Sequence, residues 1–229
     1  MVEIAAGKAV EIVNNGQINV AGDNAIAIYA DDNKGVALNE ITVTNTHKIT
    51  VSGNRGVGIA LRDSINSGDG GIVNVSGTGS SDIVTGTNGV GIYAENSEVK
   101  LNSNYGIETK EGGVGIYAAK SSIPTASTLE YKYSGSTSGR GMAIVYTKAN
   151  TTNSTNIKLV NSTGTIGGLI GIFANGGGTF TNNGTITGSS TAKEFAIIGE
   201  NSNIVNNAAI TLGNASSITT PNIALYSKT

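Results

Sequence analysis

One hexapeptide recurs along this chain, and its recurrence limits the folds that the chain can adopt. GVGIYA occurs at 89–94 and again at 113–118, and six related hexapeptides occur elsewhere. The central apolar residues of the eight copies are Ile28, Ile59, Ile92, Ile116, Ile144, Ile172, Ile197 and Leu225. Successive copies are 24 to 33 residues apart. A period of this length is typical of repeat proteins whose units stack on one another.

A second motif precedes the hexapeptide and keeps the same phase. EIVNNGQI, TVTNTHKI, TFTNNGTI and NIVNNAAI each place an asparagine between two apolar positions. These asparagines are Asn14, Asn45, Asn182 and Asn206. We expect them to lie inside a turn and to hydrogen-bond to the neighbouring unit, because asparagine tolerates unusual backbone angles and forms ladders. KLNSNYGI repeats the motif loosely and predicts that Leu101 and Ser103 take the places of Ile12 and Asn14.

Each unit therefore consists of three short strands separated by Asn- and Gly-rich turns. Apolar residues alternate at period two throughout, and no stretch has the 3.6-residue period of a helix. The sequence predicts an all-β fold, a parallel β-helix (solenoid) of about eight three-strand coils that covers residues 1–229 as a single domain. At about 4.8 Å per coil, the rod would be roughly 40 Å long. A β-sandwich, the alternative, would need reversing hairpins.

Strict alternation within the hexapeptide predicts which side chains face outward. Its valine and isoleucine would point inward, and Gly58, Gly91 and Gly115 would form an outward column of small residues. Beside them, an outward column would contain the candidate binding residues Tyr29, Tyr93, Tyr117, Phe173 and Tyr226. The rings could simply stack on one another as cross-strand neighbours. Alternatively, they form a contiguous exposed surface that docks a protein or a glycan.

The extra residues of the longer units occur mostly after the hexapeptide. They lie near 31–40, 62–69, 119–140 and 147–155. We expect these insertions to leave the solenoid at one corner, next to the tyrosine column. Insertions on one side of a solenoid often build a binding surface.

The residue composition argues against several classes of function. The chain has no cysteine and one histidine, His47, so a disulfide framework, a thiolate metal site and a Ser-His-Asp or Cys-His site all lack their parts. We expect His47 to be an exposed turn residue. A net charge of −2 gives no basic surface for nucleic acid or for an anionic membrane. We expect no cofactor and no metal.

The carboxylates do not form the arrangement that a polysaccharide-cleaving β-helix would need. Such an enzyme requires acids stacked in one outward column. The candidates Asp82, Glu98, Glu108, Glu111 and Glu130 fall in different predicted columns or loops. The acidic stretches YADD and SGDGG are isolated, and the single Gly-Asp-Gly loop of the second is a weak calcium signal. We therefore expect no catalysis, with a carbohydrate-active enzyme as the less favoured alternative.

NNGTITG, NNGQINVAG and GVGIYA together resemble the passenger repeats of monomeric (type V) autotransporter adhesins, above all the large Gly/Asn-rich fusobacterial outer-membrane autotransporters. The resemblance covers nearly the whole chain. It implies a right-handed β-helix at the cell surface, anchored to the outer membrane by a C-terminal β-barrel that this chain does not include. Since a signal peptide is also missing, we expect one stretch of a longer passenger, with the rest of the passenger covering both ends.

The resemblance implies a role in adhesion rather than in chemistry. We expect a non-catalytic cell-surface adhesin segment whose partner is a host-cell or bacterial surface protein or glycan. No nucleic-acid partner and no insertion of this segment into a membrane are expected. A purely structural spacer within the passenger is the alternative.

Overall fold

The computed structural model describes residues 10–32, 41–63, 71–136, 138–162, 166–189, 192–213 and 222–228, and in this part of the chain every regular element is a β-strand. The strands of the first four coils are β1 (Val10–Asn14), β2 (Ile18–Val20), β3 (Ile26–Asp32), β4 (Ile41–Asn45), β5 (Ile49–Val51), β6 (Val57–Asp63), β7 (Ile72–Val75), β8 (Ile83–Thr85), β9 (Val90–Glu95), β10 (Glu98–Leu101), β11 (Tyr105–Thr109) and β12 (Val114–Ala119). Those of the later coils are β13 (Thr128–Tyr133), β14 (Arg140–Tyr146), β15 (Thr152–Asn153), β16 (Asn156–Asn161), β17 (Ile166–Ala174), β18 (Thr179–Asn182), β19 (Ile186–Thr187), β20 (Ala192–Glu200), β21 (Asn203–Asn206), β22 (Ile210–Thr211) and β23 (Ile223–Lys228).

The strands form three faces of a solenoid. The first sheet has the order β1-β4-β7-β10 and is followed on the same face by β15-β18-β21. The second sheet has the order β2-β5-β8-β11-β13-β16-β19-β22, and the third sheet β3-β6-β9-β12-β14-β17-β20-β23. All described pairs are parallel, including β9 with β12 and β17 with β20. The predicted all-β parallel β-helix with three strands per coil is therefore confirmed.

The hexapeptides are direct neighbours in the third sheet. Ile92 pairs with Ile59 on one side and with Ile116 on the other, and the same register continues along the sheet. Like residues thus stack on like residues at the strand spacing of about 4.8 Å. Their repetition follows from this geometry, because each rung meets the same packing environment as the rung before it.

The core runs along the solenoid axis and consists mainly of β-branched side chains. Ile59, Ile92 and Ile116 have no exposed surface. Four tyrosines, which the sequence did not single out, are also completely buried: Tyr105, Tyr131, Tyr133 and Tyr146. Burial raises the pKa of Tyr105, Tyr131 and Tyr146, because the ionised phenolate would lose its hydration. Several glycines face these large side chains.

The predicted outward glycine column is wrong, because the glycines point into the core. A Cβ added at Gly58 would lie 2.7 Å from Cγ2 of Ile83 in the second sheet, and one at Gly91 would lie 2.6 Å from Cγ2 of Ile107. A Cβ at Gly115 would lie 3.0 Å from Cδ2 of Tyr131. Because the glycine and the following isoleucine both face inward, alternation breaks inside each hexapeptide, and glycine leaves room for the large side chain opposite.

Because alternation breaks inside the hexapeptide, the valine before the glycine points outward, whereas strict alternation predicted that it points inward. Val57 and Val90 are half-buried, whereas the glycines that follow them are buried. The first apolar position of the hexapeptide therefore lies on the outer face of the third sheet. Val114 shares this column with Val90 and keeps 7% of its surface exposed.

The asparagine ladder is confirmed and is longer than predicted. Asn14 donates to Oδ1 of Asn45 at 2.6 Å. In the later coils Asn153, which the sequence motif missed, donates to Oδ1 of Asn182 at 2.8 Å, and Asn182 donates to Oδ1 of Asn206 at 2.8 Å. The four amides at 45, 153, 182 and 206 also each donate to the backbone carbonyl two residues later, which closes the turn.

The ladder is interrupted in the middle of the solenoid, where the predicted alignment was wrong by two residues. Val75 pairs with Asn45, and Leu101 pairs with Val75, so Leu101 occupies the asparagine column rather than the Ile12 column. The isoleucine that pairs with Ile83 comes six residues after Leu101, at Ile107, but four residues after Asn45, at Ile49. Ser103 instead bonds to the loop of the preceding coil, accepting from the Gly77 amide at 3.0 Å.

Two of the predicted insertions contain strands. Residues 119–140 include β13 of the second sheet, and 147–155 include β15, which carries Asn153 of the ladder. Residues 31–32 and 62–63 extend β3 and β6, and the remainders of those two insertions, 33–40 and 64–69, lie outside the described residues. The first face is continuous only up to β10, and isolated bridges such as Ile123 with Asn153 span the gap to β15.

A charge in the isoleucine column should disrupt several coils together. Ile92→Asp would bury an unpaired carboxylate between Ile59 and Ile116, at a cost of about 4 kcal/mol or more. We expect a much lower midpoint of urea unfolding, followed by circular dichroism. Asn74→Asp on the outer side of β7, beside Lys100, is the matched control and should leave the midpoint unchanged. An Ile92→Asp variant as stable as the parent would contradict the inward orientation.

The asparagine ladder should contribute most where it is buried. Asn182→Ala would remove one bond to each neighbouring asparagine and leave buried polar groups unpaired, at a cost of about 2–4 kcal/mol. Asn14→Ala removes one bond at a partly exposed end of the ladder and should cost less than about 1 kcal/mol. Urea unfolding of both variants measures the difference. Equal costs would show that the ladder does not depend on burial.

Candidate functional site

The outer face of the third sheet carries two adjacent columns of apolar side chains, here called the apolar strip. The first column contains Ile26, Val57, Val90, Val114, Met142, Ile170, Phe195 and Ile223, and the second contains Tyr29, Ala60, Tyr93, Tyr117, Val145, Phe173, Ile198 and Tyr226. Ile26, Tyr29 and Tyr226 are 42%, 46% and 44% exposed. Only the short members Ala60, Val114 and Val145 are buried. The strip thus spans eight rungs.

The five predicted site residues all belong to the second column of the strip. Tyr93 and Tyr117 stack with ring centroids 5.6 Å apart and planes inclined by 18°. Tyr29 and Tyr226 lie on the first and last described rungs, and Phe173 lies between them. The predicted shared column is therefore confirmed, whereas its role in binding remains a prediction. The sequence missed the first column because it assumed strict alternation.

A row of charges borders the strip on three successive rungs. Arg62 lies between Asp31 and Glu95, with its Nε 3.1 Å from Oε2 of Glu95 and its Nη1 3.9 Å from Oδ2 of Asp31. Tyr29 donates its hydroxyl to Asp31 at 2.6 Å, and Tyr93 donates to Glu95 at 3.3 Å. Two rings of the strip are therefore held in the same way, each by the carboxylate two residues later.

These contacts explain the electrostatics of the row. The hydrogen bond to Asp31 raises the pKa of Tyr29, and burial followed by the Glu95 charge raises the pKa of Tyr93. The hydrogen bond to Glu95, together with Tyr29 and Asp31, raises the pKa of Arg62. The single guanidinium contacts both carboxylates, so the row keeps one net negative charge. The exposed pairs contribute little to stability.

Three of the five candidate carboxylates, Asp82, Glu108 and Glu130, are engaged in structural contacts. Asp82 accepts bonds from the Thr78 amide at 2.9 Å and the Gly106 amide at 2.8 Å, and so closes the loop before β8. Glu108 forms an ion pair with Lys132 at 3.0 Å. Glu130 pairs with Lys158 at 2.8 Å. Each carboxylate is thus occupied by donors in its own surroundings, and the three do not share a column.

His47 is an exposed turn residue, as predicted. Its Nδ1 lies 3.0 Å from Oγ1 of Thr46. Among the described residues, no group of three or more His, Cys, Asp or Glu side chains could hold a metal ion.

Glu194 is a buried carboxylate that sequence reasoning missed. It occupies the rung position of Leu169 and has no exposed surface. Its carboxylate accepts hydrogen bonds from the amides of Gly213, at 2.8 Å, and Ser189. Burial raises its pKa against the opposing effect of those two amides. Its signal in the sequence was a charge at the first hexapeptide position, which is alanine, glycine or leucine in the six preceding copies.

A groove interrupts the apolar strip on the last rungs. Its walls are Ile170, Phe195 and Ile223 of the first column together with Ile198 and Tyr226 of the second column. The groove has a volume of about 410 Å³.

Two cationic side chains stand at one rim of this groove. Arg140 and Lys193 lie on either side of Gly168, which has no side chain to fill the space between them. The ammonium of Lys193 is 5.2 Å from the ring centroid of Phe195. We call this site the cationic groove.

The comparisons with known proteins return no relative: no family model, no curated protein and no solved structure matches the chain. Within the described residues, no helix is long and apolar enough to span a membrane. The function must therefore be argued from the site itself.

The buried Glu194 should make stability depend on pH. Between pH 4.5 and the raised pKa, Glu194 of the folded chain still holds a proton. The same residue in the unfolded chain, with a pKa near 4.5, has already lost it. Stability from this residue therefore decreases as pH rises from about 4.5 through the raised pKa. Glu194→Gln removes this titration, so the stability of the wild type relative to the variant should fall over that window. Urea unfolding at a series of pH values measures it, and a constant difference would contradict the raised pKa.

Proposed function

We propose that this chain is a non-catalytic segment of a cell-surface adhesin, in which the solenoid holds a binding surface away from the cell. The observation that carries the proposal is the apolar strip. Monomeric proteins rarely expose a contiguous apolar surface of this length, and such surfaces usually mark interaction sites. The proposed partner is a surface protein or glycan of a host cell or another bacterium.

The composition of the strip supports this role. Aromatic residues are enriched in interface cores, and Tyr29, Tyr93, Tyr117, Phe173 and Tyr226 supply rings along its length. Hydroxyl bonds to Asp31 and Glu95 hold two of these rings before any partner arrives, which lowers the ordering cost of binding. The charged row around Arg62 would form part of a polar rim.

The proposed cellular context comes from the sequence resemblance. Passenger repeats of type V autotransporters carry the same Asn-Gly turns and GVGIYA-like rungs, and the parallel β-solenoid is compatible with such a passenger. In this proposal the segment lies at the cell surface, and a C-terminal β-barrel elsewhere in the protein anchors it to the outer membrane. The neighbouring coils of the passenger would be its partners at both ends.

The central aromatic pair offers the sharpest test of adhesion. Tyr93→Ala combined with Tyr117→Ala removes the stacked rings at the middle of the strip, which are half-buried and make no contribution to the inner core. We expect beads coated with this variant to attach to epithelial cells and to bacterial cells about tenfold less than beads with the wild type. The unfolding midpoint should change little.

The matched control is Glu130→Ala with Lys158→Ala, which removes two long side chains from the outer face of the second sheet. This control should attach like the wild type. Equal attachment of all three proteins would favour the structural spacer. Release of shortened glycans from mixed polysaccharides would instead favour a carbohydrate-active enzyme.

A further inference from the structure

We propose that the cationic groove binds an amphipathic anion, a molecule with a hydrocarbon body and a single carboxylate or comparable anionic head. This small-molecule site goes beyond the adhesive role and does not depend on it. A volume of about 410 Å³ lies within the range of about 300–1,000 Å³ that is usual for small-ligand sites.

The groove exists because the backbone is irregular at its rim. The register between β17 and β20 shifts between Ile166 and Leu169, so that the glycine pair at 167–168 faces the single residue Lys193. A bulge of this kind redirects side chains and is common beside functional sites. Arg140 and Lys193 lie on the rungs before and after Gly168. Because Gly168 has no side chain, the space between these two cationic side chains stays open.

The two cations favour an anionic head group. Among the described residues, no carboxylate lies within ion-pair distance of Arg140 or Lys193. From residue 131 onward the sequence has six Lys and Arg but only two carboxylates, Glu194 and Glu200. Glu194 is buried on the opposite side of its strand, and Glu200 lies beside Lys228 on the adjoining rung. Glu111, beside Gly139, accepts a hydrogen bond from the Ser136 hydroxyl, so an incoming anion would meet two cations that form no ion pair with a described carboxylate.

The walls favour a hydrocarbon body over a sugar or a peptide. The side chains of Ile170, Phe195, Ile198 and Ile223 offer no hydrogen-bonding groups, which leaves the Tyr226 hydroxyl as the polar group of the walls, whereas a sugar needs partners for several hydroxyl groups. An extended peptide would need partners for its amides and carbonyls. Behind the groove walls the backbone groups already pair with the neighbouring rung, from Leu169 and Glu194 onward between β17 and β20 and from Phe195 and Ile223 onward between β20 and β23. An alkyl chain needs no hydrogen-bond partners, so it is the occupant that fits these apolar walls best.

Dodecanoate, below its micellar concentration, is the probe for isothermal titration calorimetry on the whole chain. Dodecyl maltoside has the same tail with a neutral head, and acetate has a carboxylate without a tail. We expect dodecanoate to bind at one site and the other two probes to give no binding heat. Equal binding of dodecyl maltoside, or no binding of dodecanoate, would overturn the proposal.

Two variants locate the site. Arg140→Gln with Lys193→Gln should weaken dodecanoate binding by about tenfold or more, because both charge-assisted contacts are lost. Lys148→Gln with Lys158→Gln changes the net charge equally at exposed positions outside the groove and should bind like the wild type. If both pairs lower affinity equally, net charge rather than the groove attracts the anion, and the proposal fails.

Gly168→Leu tests the cavity itself. A Cβ at Gly168 would lie 3.8 Å from the backbone oxygen of Lys193 and 4.0 Å from Cγ of Arg140, which are ordinary contact distances. The larger side chain should occupy the space between Arg140 and Lys193 and strongly weaken dodecanoate binding, while the unfolding midpoint stays close to that of the wild type. A folded Gly168→Leu protein that binds normally would contradict the assignment.

Discussion

The whole structure depends on the parallel hydrogen bonds that join each strand to its counterparts in the coils above and below. A single coil has three short strands and cannot enclose its apolar residues alone. Once coils stack in register, each side chain meets its equivalent on the next rung, as Ile59, Ile92 and Ile116 do. The isoleucine core, the asparagine ladder and the apolar strip are all products of this one register.

The inside and the outside of the solenoid are specialised by the same repeat. Inside, buried polar side chains are mostly hydrogen-bonded, as in the amides of Asn153 and Asn182, and the Thr85 hydroxyl is a buried exception. Outside, the third sheet retains isoleucine, valine and tyrosine where solvent-facing strands usually carry polar residues. This apolar outer face has no role in filling the core, which is why it supports an interaction role. Where the register slips, beside Gly168, the outer face gains a concave site.

Much of the architecture could be predicted from the sequence, because eight related hexapeptides spaced 24 to 33 residues apart have few alternative arrangements. The same spacing correctly predicted the tyrosine column and most of the asparagine ladder. Orientation within the hexapeptide could not be derived from alternation, since Gly91 and Ile92 both face inward. Size complementarity was the available signal: the bulky Tyr131 faces Gly115 and Gly141 across the interior. Asn153 was missed and Leu101 was misplaced by two positions, because unequal numbers of residues between the columns hide the true alignment.

The rung-by-rung pairing of hexapeptides also determines how such a protein can change its length. A tandem duplication of one complete coil would add an increment of about 4.8 Å to the rod and one side chain to every column, with all later coils remaining in phase. A duplication of any other size would put a turn where a strand is required. The solenoid can therefore lengthen only by whole coils. Each added coil extends the outer surface without changing the types of side chain that this surface presents.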